Sequence, residues 1–130
     1  MSTTYHVVET QDDLAICEHM AGAMHHPEVL CFPTILARRD GEAIGMLGTH
    51  VLDGHIIAGP LIVCGLDRPG FVSWKLFATY NAVMRAAHQS QYLIAVEAEN
   101  APMARTLQKL GLAPYAQDAE GNSWYRRSLP

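Results

Sequence analysis

The spacing of apolar residues changes several times along the chain, and each change marks an element. Tyr5-His6-Val7-Val8 reads as a short strand. Thr10 followed by Asp13 resembles a capping box in which Asp replaces the usual Glu or Gln. Leu14, Cys17, Ala21 and Met24 then recur at helical spacing and predict a helix over 12–24. His25-His26-Pro27 ends it, because the residue before proline avoids the helical region. Residues 25–33 read as a loop or a short second helix. Next, 34–39 and 42–49 flank Asp40-Gly41, a pair suited to a tight hairpin turn. Asp53-Gly54 repeats the signal before a strand over 55–64, so the middle of the chain predicts a three-stranded antiparallel meander. The stretch 56–63 is almost wholly apolar, as in a central strand covered on both faces. Gly59-Pro60 interrupts it and predicts a bulge or a break in pairing, since proline donates no ladder hydrogen bond.

Beyond Gly65 the period becomes helical. Leu76, Tyr80, Val83 and Ala87, with Phe77 and Met84 beside them, predict an amphipathic helix over 70–89. Tyr92 to Val96 reads as a strand. A strand, a long helix and a strand make a right-handed crossover, so 56–63 and 92–97 are expected to lie parallel. Asn100 can cap the next helix, Pro102 is tolerated in its first turn, and Gly111 can close it. A last hairpin is expected from 112–116 and 123–129, turning at 118–122. The whole predicts one α/β domain over 1–130, of the mixed-sheet type, with about seven strands flanked by helices.

Composition narrows the partners. The 130 residues are 49% hydrophobic and 17% charged, enough to form a core. No apolar run reaches the roughly 18–20 residues of a membrane span, and the N-terminus lacks a signal-peptide pattern, so a cytoplasmic protein without membrane attachment is expected. The formal charge is −4, and Arg38-Arg39 and Arg126-Arg127 are isolated pairs, which disfavours nucleic-acid binding. Cys17, Cys31 and Cys64 match neither a disulfide framework nor a zinc site and read as reduced, mostly buried thiols. His19, His25, His26 and Glu28 fit no tight ligand spacing, and no metal is expected.

The element order, together with the run Ile94-Ala95-Val96-Glu97-Ala98-Glu99-Asn100 and the helix ending at Gly111-Leu112, resembles the GNAT family of acyl-CoA N-acyltransferases. The family pattern there is L-x-V-x-x-x-N followed by L-Y-x-x-x-G-F, and the Asn100-to-Gly111 distance fits it. The resemblance covers roughly 5–129 by element order and 56–112 by residues. It implies an acyl-CoA cosubstrate, acetyl-CoA foremost, and a small-molecule or peptide amine as acceptor, with a homodimer possible. It also implies that the acyl arm lies along a splayed strand at Leu61, Ile62 and Val63. The pyrophosphate would rest on Arg68, Gly70, Phe71, Val72 and Ser73 at a helix start, where free N–H groups and the helix dipole favour an anion. Asn100 would cap the following helix beside the ligand.

For the chemistry, Glu97 near the end of the parallel strand and His55 at the second hairpin turn are the acid–base candidates. His50, across the same turn, is a further one; solvated surface positions are the alternative for all three. The family's phosphate loop usually reads Q/R-x-x-G-x-G/A, whereas this chain has Pro69 and puts Phe71 at the first glycine position. The family tyrosine that protonates the leaving thiolate is Leu107 here. These departures raise an alternative: a catalytically degenerate GNAT-fold module for binding or structure, resembling small accessory proteins of bacteriophages. Cys64 lies near the expected thioester, with a core thiol as the simpler reading. Trp124 and Tyr125 read as core and sheet surface rather than as ligand contacts.

Overall fold

A computed structural model of the chain describes residues 3–23, 30–64 and 69–129, with Pro69 described by its backbone alone. Among the described residues the order is β1 (Thr3–Val7), α1 (Gln11–Ala23), β2 (Cys31–Arg39), β3 (Glu42–Leu52), β4 (His55–Val63), α2 (Pro69–Ala86), β5 (Gln91–Val96), α3 (Ala101–Lys109), β6 (Ala116–Gln117) and β7 (Ser123–Ser128). The strands form one seven-stranded mixed sheet in the order β1-β2-β3-β4-β5-β7-β6. Among the described strands only β4 and β5 run parallel. The right-handed crossover logic places α2 between them in sequence and against the sheet in space.

Local chemistry explains most boundaries. Asp40 and Gly41 (φ 51° and 84°) and Asp53 and Gly54 (φ 51° and 78°) form the two tight turns that the sequence predicts. They fix the pairs Arg39↔Glu42 and Leu52↔His55. At the start of α1, the Asp13 N–H donates to Thr10 Oγ1 at 3.1 Å. The Asp13 carboxylate does not complete the capping box; it takes Arg38 Nη2 at 2.7 Å and lies 3.6 Å from His6 Nε2. In α3, Asn100 Oδ1 accepts from Met103 N–H at 3.2 Å. The far end closes in a Schellman arrangement, Leu112 N–H to Leu107 O and Gly111 N–H to Gln108 O, each 3.0 Å.

Several boundaries differ from expectation. The strand expected from 34 begins at Cys31, because the Thr34 hydroxyl donates to Cys31 O at 2.8 Å and the chain is drawn into the sheet with a register shift. The first arm of the last hairpin shrinks to β6, since only Ala116 and Gln117 pair with β7. The rest of the 25–33 expectation falls mostly on residues outside those described.

Two cores sandwich the sheet. On one face Leu76, Phe77, Tyr80 and Met84 of α2 and Leu107 of α3 pack on Ile35, Leu47, Tyr92 and Ile94. Burying each such side chain contributes about 1.5–3 kcal/mol. On the other face Cys17 and Ala21 of α1 pack on Leu36, Met46 and Ile62. A polar layer runs beneath α2. Tyr92 OH donates to Asn81 Oδ1 at 2.6 Å, Tyr80 OH and Thr49 Oγ1 are 2.6 Å apart, and Thr49 Oγ1 also donates to Pro33 O. Burial pushes the Tyr80 phenol up to about 12, partly opposed by the Thr49 hydrogen bond.

Candidate active site

The sheet divides at β4. On one side β4 follows β3 from Leu52↔His55 to Gly45↔Val63. Between Leu47↔Leu61 and Thr49↔Ala58, Gly59 and Pro60 face the single residue Gly48, which is the predicted bulge. On the other side β5 follows β7 over its whole length, from Gln91↔Ser128 to Val96↔Ser123. Across the divide, the parallel ladder has one registered pair, Ile57↔Leu93, although β4 continues to Val63 and β5 to Val96. The two halves therefore splay beyond Ile57.

A cleft lies on each face of the splay. On the α2 face, a cavity of about 230 Å³ is lined by Leu61 and Val63, by Gly70 and Ser73 of the first turn of α2, and by residues 100–106 around the start of α3. On the opposite face, a cavity of about 180 Å³ is lined by His50, Gly59, Pro60, Ala95, Glu97 and Asn122. Alternation fixes these assignments. Thr49 reaches Tyr80 of α2, so His50 points away; Val96 joins the α2 core, so Glu97 points away. His50 is anchored at the bulge, its Nδ1 lying 3.2 Å from Gly59 O. A larger cleft of about 390 Å³ continues along this second face toward the start of β4, sharing Ile57 and walled by His55, Leu93, Tyr115, Trp124 and Arg126. The Arg126 guanidinium stacks over Tyr115 at 4.6 Å.

The turn between β6 and β7 shapes both clefts of this face. Asp118 accepts from Asn122 N–H at 2.9 Å, Glu120 N–H at 3.0 Å, Trp124 Nε1 at 3.0 Å and Asn122 Nδ2 at 3.1 Å. The Trp124 bond first, and then the other donors, hold the Asp118 carboxyl below the usual carboxylate range. Asn122 is thus fixed opposite Glu97, and Trp124 in the wider cleft.

The expected cosubstrate residues separate into groups. Leu61, Val63, Gly70, Ser73 and Asn100 converge on the α2-face cleft. Ile62 turns the other way into the α1 core, and Val72 is buried under α2, which leaves each only its backbone to offer a ligand. Phe71 does not fill the cleft. It is 58% exposed on the outer side of α2, its ring 6.2 Å from that of Trp74. Arg68 lies outside the described residues. Leu107 is fully buried in the core and carries no proton.

Of the acid–base candidates, Glu97 and His55 do not meet. Glu97 and His50 share the cleft at the splay. His55 sits at the mouth of the wider cleft, on the other side of the Ile57↔Leu93 rung, because it begins β4 at the turn. The neighbour of Glu97 is instead His50, a pairing set by the β3–β4 register across the bulge and not by any local sequence signal. Cys64 is exposed rather than a core thiol, since it has just left the sheet, its N–H donating to Ile44 O at 2.8 Å. Cys17 is the core thiol, raised to about 11 by burial and by Asp13. Among the described residues, no group of three or more His, Cys, Asp or Glu is placed to hold a metal ion.

The mixed sheet thus splays at one parallel pair, with a helix start at one face of the opening and a carboxylate at the other. Neither a family model nor a curated protein matches the chain by sequence. Solved structures match it over its length. It is similar to aminoglycoside 6'-acetyltransferase type Ii, with a TM-score of 0.77 at 13% identity over 98% of each chain. It is similar to yncA from Salmonella typhimurium, solved with its cofactor acetyl-CoA, with a TM-score of 0.76 at 14% identity over 100% of this chain and 95% of that one. It is also similar to the ribosomal-protein-S18-alanine N-acetyltransferase from Escherichia coli, with a TM-score of 0.68 at 15% identity over 99% and 94%. The chain has the fold of these acetyltransferases, the GNAT fold. Among the described residues no helix is long and apolar enough to cross a membrane.

Proposed function

We propose that the protein is an acyl-CoA-dependent N-acyltransferase, with acetyl-CoA as donor and a small-molecule amine as acceptor. The observation that carries this is the one-rung β4–β5 ladder with a cleft on each face of its opening. The α2-face cleft fits an acyl-pantetheine arm and its phosphates. Leu61 and Val63 give it an apolar wall, backbone beyond the rung has no partner strand across the splay, and Gly70 and Ser73 sit at a helix start that favours an anion. Acyl-CoA supplies the activated thioester. The protein's part is to hold it, to place the amine on the other face, and to take the ammonium proton.

Glu97 is the residue for that proton, directly or through one water, and Asn122 and His50 border the same space. The wider cleft past Ile57 would receive the body of the acceptor. Two of the similar structures named above support an amine acceptor by what they act on: an aminoglycoside in one and a ribosomal-protein alanine in the other. The test is calorimetric titration with acetyl-CoA, followed by an amine panel read as release of free thiol. Saturable binding and thiol release that requires both an amine and Glu97 are the expected results. No binding of any short acyl-CoA would overturn the proposal, and binding without turnover of any amine would favour the degenerate module instead.

A further inference from the structure

Behind the site, α2 and β7 enclose a separate cavity of about 250 Å³. It shares no lining residue with the clefts at the splay. Trp74, Ala78, Asn81 and Arg85 line it from one face of α2, at helical spacing, and Arg127 of β7 closes it from the sheet side.

The lining contains two arginines and no acidic residue. Among the described residues, neither Arg85 nor Arg127 makes an ion pair or a hydrogen bond, and Arg127 Nη1 is sealed from solvent with no partner. A buried guanidinium N–H without an acceptor is costly, and a second cation across the same space adds repulsion. The nearby end of α3 does not relieve it. The carbonyls of Thr106, Leu107 and Gln108 are taken by the backbone N–H groups of Leu110, Gly111 and Leu112. Asn81 has its carbonyl oxygen occupied by Tyr92 OH, which leaves its amide NH2 as a further donor. Both guanidinium charges also act on the Tyr92 phenol, opposing the rise caused by burial, so both lie close to this polar layer. Donors without acceptors and positive charge without a counter-charge, in a chain of net charge −4, describe a site completed by an anion.

We propose that this cavity binds a phosphate-class oxyanion, held by Arg85, Arg127 and Asn81 beside the indole of Trp74. Arginine forks match the paired oxygens of such a group, and the tryptophan provides an intrinsic reporter. The experiment is NMR titration of the intact chain with inorganic phosphate, at constant ionic strength set with chloride. Phosphate is expected to shift the Trp74 indole and Arg127 Nε–H resonances saturably and to leave the Trp124 indole unmoved. Arg85→Gln, at an exposed position, should weaken that binding by about tenfold or more, the loss of one charge-assisted hydrogen bond, with an unchanged unfolding midpoint. Arg127→Gln should abolish it; if that variant folds poorly, Arg85→Gln alone decides. A parallel titration with phosphoserine separates a free ion from a phosphorylated ligand, according to which saturates at lower concentration. The proposal is overturned if neither probe moves Trp74 or Arg127 saturably, if chloride moves them equally, or if Arg85→Gln binds as tightly as the parent.

Discussion

Gly48→Ala tests whether the bulge sets the splay. Gly48 is the lone β3 residue facing Gly59 and Pro60. A Cβ there would sit 2.8 Å from Leu30 Cδ2, 3.1 Å from Gly59 O and 3.3 Å from Met46 Cε. The Leu30 and Met46 contacts are ends of flexible side chains and can rotate away. The Gly59 carbonyl is backbone, so relief there means moving the bulge by a few tenths of an ångström. Overpacking of this kind costs about 1–3 kcal/mol. Restricting the unfolded chain returns about 0.4–1 kcal/mol, so the net loss is roughly 1–2 kcal/mol.

The functional consequence follows from what the bulge holds. Gly59 O lies 3.2 Å from His50 Nδ1, and both residues line the Glu97 cleft. A displacement near 1 Å in a reacting geometry costs about 100-fold, so a few tenths give roughly a 3–5-fold fall in kcat/KM. Urea denaturation and a steady-state assay of the proposed acetyl transfer read the two effects. Gly22→Ala is the control: its Cβ meets nothing, it lies in α1, and it should stabilise by about 0.5–1 kcal/mol with activity unchanged. If Gly48→Ala behaves like Gly22→Ala in both assays, the bulge does not control the site.

Other substitutions probe the remaining parts. Glu97→Gln should lower kcat/KM by about 100- to 10,000-fold while leaving acetyl-CoA affinity within twofold, read by calorimetry beside kinetics. Leu107→Tyr should not raise the rate; the site is fully buried, so it should destabilise by about 1–3 kcal/mol in denaturant unfolding. Asp118 has a depressed pKa, so its contribution to stability is present above the ordinary carboxylate pKa and lost as pH falls through the depressed value. Asp118→Asn should therefore flatten the acid limb of a stability–pH profile, and an unchanged limb would count against the turn network. Tyr80, raised to about 12, should still be protonated where ordinary tyrosines ionise; its ionisation should penalise the fold from pH 10 up to about 12, as an absorbance titration with Tyr80→Phe would show.

What was legible in the sequence is what short-range chemistry decides. The Asp-Gly turns, the Asn100 cap and the Gly111 close each depend on a few neighbouring residues, and each is where the spacing put it. The parallel crossover and the bulge at Gly59-Pro60 were readable for the same reason. The outward position of Phe71 was readable but missed: extending the Leu76–Tyr80 stripe back one turn reaches Val72, which leaves Phe71 on the helix flank. The meeting of His50 with Glu97 was not readable. It depends on β3–β4 register across the bulge and on β5 following β7 instead of β4, and neither leaves a local signature. The same long-range placement separates His55 from Glu97 and brings Arg85 to Arg127.

The two departures from the family pattern weigh differently once placed in space. Phe71 points away from the α2-face cleft, so its bulk does not obstruct the backbone of the first turn of α2. Leucine at position 107 carries no ionisable proton, and its side chain is fully buried in the core. The chemistry tolerates that loss better than the loss of a base. A thiol ionises near pH 8.5, so a thiolate departs from the tetrahedral intermediate without protonation, whereas an ammonium cannot attack until its proton is removed. Under the proposed function the demand on the protein then falls on one proton, for which Glu97 is the proposed base. An enzyme built this way should show a pH–rate profile with a rising limb from base and amine, and no falling limb from a protonated donor below the range where the thiol itself ionises. A descending limb that Leu107→Tyr leaves in place would mean that another residue supplies the proton, and that the leaving group is not left to solvent.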